Sequence, residues 1–176
     1  IYVACGSVGT TVGLLLGCKA AGLKTKIIAV AIEPEDPNDP LIPQIEKLFA
    51  QTNALLHETA PSFAIFTLGK NDYEINRDFT GNDYGLYTRE GNNAKKIFYE
   101  TEQLKLDGSY TAKAASALLH DLQTGKCNGK KVLFWNTYCA YDLSDRIKEL
   151  DYKKLPECFH SYFEQDVQEL DRVTQP

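Results

Sequence analysis

Methionine is absent from the 176 residues, histidine occurs three times, and no run of lysine and arginine exceeds two residues. Each scarcity excludes something. Translation starts at methionine, whereas this sequence opens at Ile1, inside an apolar stretch that reads as a core strand. The expectation is a fragment of a longer polypeptide. With a formal net charge of -5 and no basic stripe, the chain lacks what duplex binding uses to displace counterions, which argues against a nucleic-acid partner. No apolar run approaches the roughly 20 residues of a membrane helix. Val12 to Leu16 gives way at once to Gly17, Cys18 and Lys19. No signal-peptide pattern opens the chain. These points predict a soluble, cytoplasmic protein without a membrane partner. Cysteine is odd in number and never spaced as Cys-x-x-Cys (Cys5, Cys18, Cys127, Cys139, Cys158), which argues against a disulfide framework and a zinc site. His57, His120 and His160 stand alone, so no metal centre is expected.

What is present is the composition of an ordered domain. Hydrophobic residues make up 43% and charged residues 24%, enough apolar material for a core. Residues 1-176 read as a single α/β domain or a large part of one. Ile1 to Ala4 and the β-branched run Lys26 to Ile32 read as strands, the second apolar on both faces as in a parallel sheet. Between them Thr10 to Leu23 suits a mostly buried helix closed by Gly22. Pro34, Pro37 and Pro40 mark a loop, and Ile45, Leu48, Phe49, Ala54 and Leu55 a following helix. Phe63 to Leu68 reads as a short strand, and Lys70 to Tyr84 as a polar loop too long for a simple connector. Ala94 to Glu102 is helical in pattern. Asp107 to Ser109 offers caps for a helix running to Leu122. Lys131 to Trp135 reads as a third buried strand, and Leu155 to Phe163 as the helix of the tail. The alternation predicts an α/β fold with a mainly parallel sheet flanked by helices.

The strongest local feature is Gly6-Ser7-Val8-Gly9-Thr10, small residues between a strand and a helix. Such a loop lets backbone N–H groups and a helix N-terminus approach a phosphate. It lacks Gly-x-Gly-x-x-Gly, which weakens a dinucleotide reading, and Gly-Lys-Ser/Thr, which argues against a Walker-type site. A tight turn without a ligand explains the same residues about as well.

Four stretches carry a family resemblance. Residues 6 to 23, GSVGTTVGLLLGCKAAGL, are similar to the phosphate-cradling GSGGT-x-AGL segment of the D-cysteine desulfhydrase and 1-aminocyclopropane-1-carboxylate deaminase family. Asp83 to Thr88 resembles that family's YG[LI]PT loop, Thr101 to Ala114 its TEGI-x-LDPVYTGKA segment, and Val132 to Thr137 its strand ending in HTGG. The four occur in the family's order, over roughly the first 140 residues. The resemblance implies the C-terminal portion of the large domain of a fold-type II enzyme dependent on pyridoxal 5'-phosphate (PLP). The upstream segment with the cofactor lysine, and the small domain, would lie outside this sequence. It further implies that Ser7, Val8, Gly9 and Thr10 hold the cofactor phosphate. Tyr84 and Tyr110 match two substrate-facing tyrosines, implicated in the deaminases in handling the substrate carboxylate and in proton transfer or nucleophilic steps. Thr111 and Thr137 match positions near the pyridine nitrogen. The deaminases carry an acid where Thr111 stands, so threonine leans toward the desulfhydrases. Lys113 matches a family lysine that is not the cofactor lysine. Homodimers are common in the family, and no interface pattern stands out here.

The chain departs from the family at Val8, where glycine is expected and where valine is tolerable only at negative φ, and at Tyr87, Gly108 and Ser109. It departs most at Asn136-Thr137-Tyr138-Cys139, which replaces HTGG. Tyr138 there would narrow or close the substrate pocket. The leading expectation is a PLP-dependent lyase or deaminase acting on a small amino acid, inactive as this segment alone. The alternative is a non-catalytic phosphate-ligand-binding or interaction protein derived from the same fold. An NAD-type protein with Glu33 after the second strand comes last, since it explains only the first thirty-odd residues.

Overall fold

The computed structural model describes residues 1–165 and 168–171. Three parallel strands form its sheet, β1 (Tyr2–Cys5), β2 (Ile27–Ala31) and β3 (Tyr73–Asn76), in the order β1-β2-β3. Tyr2 lies opposite Ile28 and Cys5 opposite Ala31. On the other side of β2, Ile27 lies opposite Tyr73 and Val30 opposite Asn76. Helix α1 (Gly9–Ala20) makes the crossover from β1 to β2. It ends where Gly22 turns left-handed and the N–H groups of Gly22 and Leu23 bond Lys19 and Cys18 carbonyls. Those two bonds satisfy carbonyls that a helix end otherwise leaves free.

The period-two alternation of a strand assigns the layers. Val3 and Cys5 of β1 and Ile27 and Ala29 of β2 pack against α1 and α2 (Leu41–Thr59), meeting Val12, Leu15, Ile45 and Phe49. Their neighbours Tyr2, Ile28 and Val30 face the other way, onto Ala114, Ala117 and Leu118 of α4 (Thr111–Gln123). Helix α3 (Arg89–Glu102) backs α4, with Ala94 against Ala112 and Ala115. Small residues on α4 let both neighbours come close.

Three expectations about elements are corrected. Phe63 to Leu68 forms no strand. Its apolar residues Phe66 and Leu68 pack on the α1/α2 core. Its carbonyls are taken by side chains of α2, Asn53 Nδ2 donating to Phe66 at 2.9 Å and His57 Nδ1 to Phe63 at 2.7 Å. The third strand lies instead within the polar segment. Tyr73 and Ile75 face the core, while Glu74 accepts from Lys26 at 2.7 Å and Lys126 at 3.0 Å, as suits a sheet edge. The stretch Lys131 to Trp135 runs beside β1 but makes one bridge, Tyr2 opposite Phe134. The Tyr2 N–H donates to Leu133 and the Trp135 N–H to Tyr2. Phe134 is packed against Phe98, whereas Leu133 and Trp135 are 49% and 42% exposed, so this is no buried strand. In the tail, Leu155 to Phe163 yields a 3-10 turn at Glu157–Phe159 and one α-turn at Ser161–Glu164, with no continuous helix.

Candidate functional site

The site grows from the end of β1. Pairing of Tyr2 to Cys5 with β2 delivers the loop Gly6-Ser7-Val8 to the carboxyl edge of the sheet, where α1 begins. Val8 adopts φ 54° and ψ -7°, in the left-handed region. This overturns the expectation of negative φ. A β-branched residue is a true outlier there, at a cost of about 1–2 kcal/mol. Burial in the α1 core holds it, at 4% exposure. Its backbone turns the loop so that Ser7, Gly9 and Thr10 face solvent. No side chain caps α1 and no acid stands in its first turn. The amides that a helix N-terminus leaves unbonded, and its partial positive charge, therefore remain available to an anion.

These residues wall a cavity of about 140 Å³ lined by Ala4, Gly6, Ser7, Val8, Gly9, Thr10, Thr11, Tyr110 and Thr137. Thr137 arrives because the preceding stretch bridges β1 at Tyr2. Tyr110 arrives at the start of α4. Asp107 fixes that start, its carboxylate accepting from Tyr110 N–H at 2.6 Å and from Thr111 N–H at 3.0 Å. Thr11 was not foreseen as a site residue. It is fully buried at the cavity wall, and its hydroxyl leans on the Cys5 thiol and is otherwise unpaired. Helical phase was the available signal, since Thr11 stands four residues before buried Leu15 and seven before buried Cys18.

Tyr84 lies on the loop before α3 and reaches the same corner, its hydroxyl hydrogen-bonded to that of Tyr110. The rings meet edge-on, with centroids 6.1 Å apart at 77°. That bond comes first, and some burial second, in pushing the Tyr110 phenol up to about 12. Tyr110 is thus held as a protonated donor at neutral pH, with Tyr84 as its partner.

Of the eight residues matched to family roles, the cavity gathers Ser7, Val8, Gly9, Thr10, Tyr110 and Thr137, with Tyr84 joined through Tyr110. Thr111 stands apart. It is buried, its hydroxyl donates to Asp107 Oδ2 at 2.6 Å and accepts from Asp107 N–H at 3.0 Å, and it does not line the cavity. Tyr138 is half-exposed and also absent from the lining. Lys113 is fully buried, its ammonium donating to the Ile32 carbonyl at 2.5 Å and the Thr80 carbonyl at 2.7 Å. Desolvation lowers its pKa, and no lysine lines the cavity. A more open cavity of about 500 Å³ lies between β3 and the end of α4. Within it Lys126 pairs with Glu74 and Asp121, and Arg77 pairs with Glu35 outside the lining. Among the described residues no group of histidine, cysteine and carboxylate side chains could hold a metal ion, and no helix is long and apolar enough to cross a membrane.

No family model matches the chain. The chain is 30% identical over 139 residues to the D-cysteine desulfhydrase of Yersinia pestis (strain Pestoides F), covering 78% of this chain and 39% of that protein. It is 29% identical over 127 residues to the D-cysteine desulfhydrase of Yersinia enterocolitica, covering 72% and 35%. The chain thus spans about two fifths of the length of these relatives. The crystal structure of a homologue of 1-aminocyclopropane-1-carboxylate (ACC) deaminase superposes on 73% of this chain with a TM-score of 0.60 at 22% identity, and covers 36% of that chain. That likeness establishes the fold.

Proposed function

We propose that this chain, a member of the D-cysteine desulfhydrase and ACC deaminase family, forms the phosphate-binding and substrate-facing wall of a PLP-dependent lyase or deaminase. Its substrate would be a small amino acid, handled in the cytoplasm. One observation carries the reading. The uncapped N-terminus of α1, two hydroxyl-bearing loop residues and Tyr110 converge on one cavity. The donor set fits the cofactor's phosphate, since exposed Ser7, Gly9 and Thr10 combine free amides with hydroxyls and bring no acid. The cavity is smaller than the roughly 300–1,000 Å³ of a whole ligand site, which suits the phosphate end of the cofactor rather than all of it.

When bound, PLP supplies an electron sink for the charge left on the substrate's α-carbon after proton loss. The chain's own residues do the rest. Ser7 to Thr10 bind and orient the phosphate. Thr137, on the same cavity, would offer its hydroxyl to the bound cofactor. Tyr84 and Tyr110 share one hydroxyl–hydroxyl bond, and the O–H of the pair not used in it donates to the substrate carboxylate or to a departing group. Thr111 serves at one remove, fixing Asp107 and so the start of α4. Neither Lys113 nor any cavity-lining residue offers the cofactor amine, so turnover belongs to a protein that carries that lysine elsewhere.

The experiment is a 31P NMR titration of PLP with the chain and with Gly9→Asp and Tyr110→Phe. The wild type and Tyr110→Phe should broaden and shift the phosphate resonance. Gly9→Asp, which sets a negative charge at the helix start, should abolish the effect. Equal binding by Gly9→Asp sinks the phosphate assignment. In a protein complete with its lysine, Tyr110→Phe should cut sulfide or ammonia release by about 100-fold while PLP stays bound.

A non-catalytic phosphate-binding protein is the second reading, favoured by Val8 in place of the motif's glycine and by Asn136-Thr137-Tyr138-Cys139 in place of HTGG. PLP binding by the complete protein, with no product from D-cysteine or ACC, would select it.

A further inference from the structure

The loop that carries Tyr84 has little hold of its own. Tyr84 is 55% exposed, and its N–H is bonded only locally, to Asp83 Oδ1 at 2.7 Å. What fixes the next three residues comes from far along the chain. The Gln168 side-chain amide accepts from Tyr87 N–H at 2.6 Å and donates to the Gly85 carbonyl at 3.2 Å. One primary amide thus treats the loop as a neighbouring strand would, using its donor and its acceptor together. The Ser109 hydroxyl donates to the same Gly85 carbonyl at 3.1 Å, joining the loop to the turn before Tyr110. Gln168 is itself anchored, since Asn92 Nδ2 on α3 donates to the Leu170 carbonyl at 2.8 Å.

We infer that Gln168 is a positioning residue that straps the Tyr84 loop and so holds the Tyr84 hydroxyl on Tyr110. The inference rests on the reading of these two tyrosines as the substrate-facing pair. The backbone bonds of Gln168 flank Tyr84 on its C-terminal side, at one and three residues' distance. Without them the half-exposed loop retains the Ser109 bond at Gly85 and, at Tyr87, ring contacts with Lys95 and Gly108 in place of a backbone bond. A polar side chain from the carboxy-terminal segment thereby sets the geometry of a phenol more than eighty residues earlier.

The test needs no cofactor, so a failure of PLP to bind leaves it intact. The protein is labelled at tyrosine Cζ with 13C, the Tyr110 resonance is assigned with Tyr110→Phe, and phenol ionisation is followed together with backbone amide exchange. In the wild type, Tyr110 should remain mostly protonated at about pH 11, where an ordinary tyrosine is mostly ionised. Gln168→Ala should bring its midpoint down from about 12 toward the ordinary 10 and speed exchange of the Tyr87 amide by about 10-fold. Gln168→Glu keeps the acceptor for Tyr87, so that amide should stay slow. Two results overturn the inference. One is Gln168→Ala with both readouts unchanged. The other is a faster Tyr87 amide with the Tyr110 titration unmoved, which would mean that the strap holds the loop without positioning the phenol.

Discussion

Val8 permits a quantitative test, because its backbone and its side chain pull in opposite directions. Its φ of 54° favours glycine, while its isopropyl group lies in the core with Val3, Val12 and Leu15. Val8→Ala keeps a Cβ, and so most of the left-handed cost of about 1–2 kcal/mol, and loses two methyl equivalents at about 0.8 kcal/mol each. The expected loss is therefore about 2 kcal/mol, or roughly 4–8 °C in Tm for a chain of this size. Val8→Gly loses one further carbon, about 0.8 kcal/mol, and up to about 1 kcal/mol through the freer unfolded chain. It regains the left-handed cost of about 1–2 kcal/mol. The two variants should therefore agree to within about 1 kcal/mol. At an ordinary negative φ, glycine would be the worse by about 1.5–2 kcal/mol. Urea unfolding followed by circular dichroism measures the difference, provided the m-value stays constant. A Val8→Gly protein less stable than Val8→Ala by 1.5 kcal/mol or more, on the same estimate, would refute the left-handed assignment.

Further outcomes are expected elsewhere. Lys113→Met leaves the Ile32 and Thr80 carbonyls without their donor and should lower stability by about 2–4 kcal/mol in urea. Borohydride fixation of PLP followed by peptide mapping should leave Lys113 unlabelled, and a pyridoxyl group on that peptide would reverse its structural assignment. Gly108→Ala puts a Cβ about 2.5 Å from the Tyr87 ring and should be destabilising by about 1–3 kcal/mol. Most of that loss should vanish in a Tyr87→Ala background, and a double-mutant cycle with no coupling would show that the two do not share this contact. For Tyr110 the folded pKa of about 12 exceeds the ordinary 10. Its contribution to stability is therefore full below pH 10 and lost as pH rises from 10 through 12. Alkaline unfolding should begin earlier in wild type than in Tyr110→Phe once each is referred to its own stability at pH 8, and parallel curves would argue against a raised phenol.

Much of this molecule is local chemistry, and local chemistry is readable along a chain. The run Ile27 to Ala31 could only be a strand covered on both faces, and it is buried throughout. The small residues after Cys5 announced a strand-to-helix turn, and Asp107 announced the start of α4, because capping and turning depend on neighbours within four positions. The motif residues Ser7 to Thr10, Tyr110 and Thr137 were legible one by one, and the fold brings them to one cavity.

What the order of residues left open depends on partners distant in sequence. Phe63 to Leu68 has a strand's apolarity, yet α2 side chains take two of its carbonyls and the core takes its side chains. Tyr73 to Asn76 looks like loop, yet β2 offers a free edge on which a half-polar strand pairs. Val8 is forced left-handed because its side chain is worth more in the core than the backbone loses. Tyr87 and Gly108, two separate departures from the family pattern, prove to be one contact. Gln168 carries no mark in the sequence at all, since a side-chain amide becomes a strap only when the fold sets two backbone groups before it. Residue type and spacing therefore determined β1, β2, the turns that open α1 and α4, and the chemistry on offer. Only the tertiary structure decided which groups face one another, because burial and hydrogen-bond partners are properties of the packed chain.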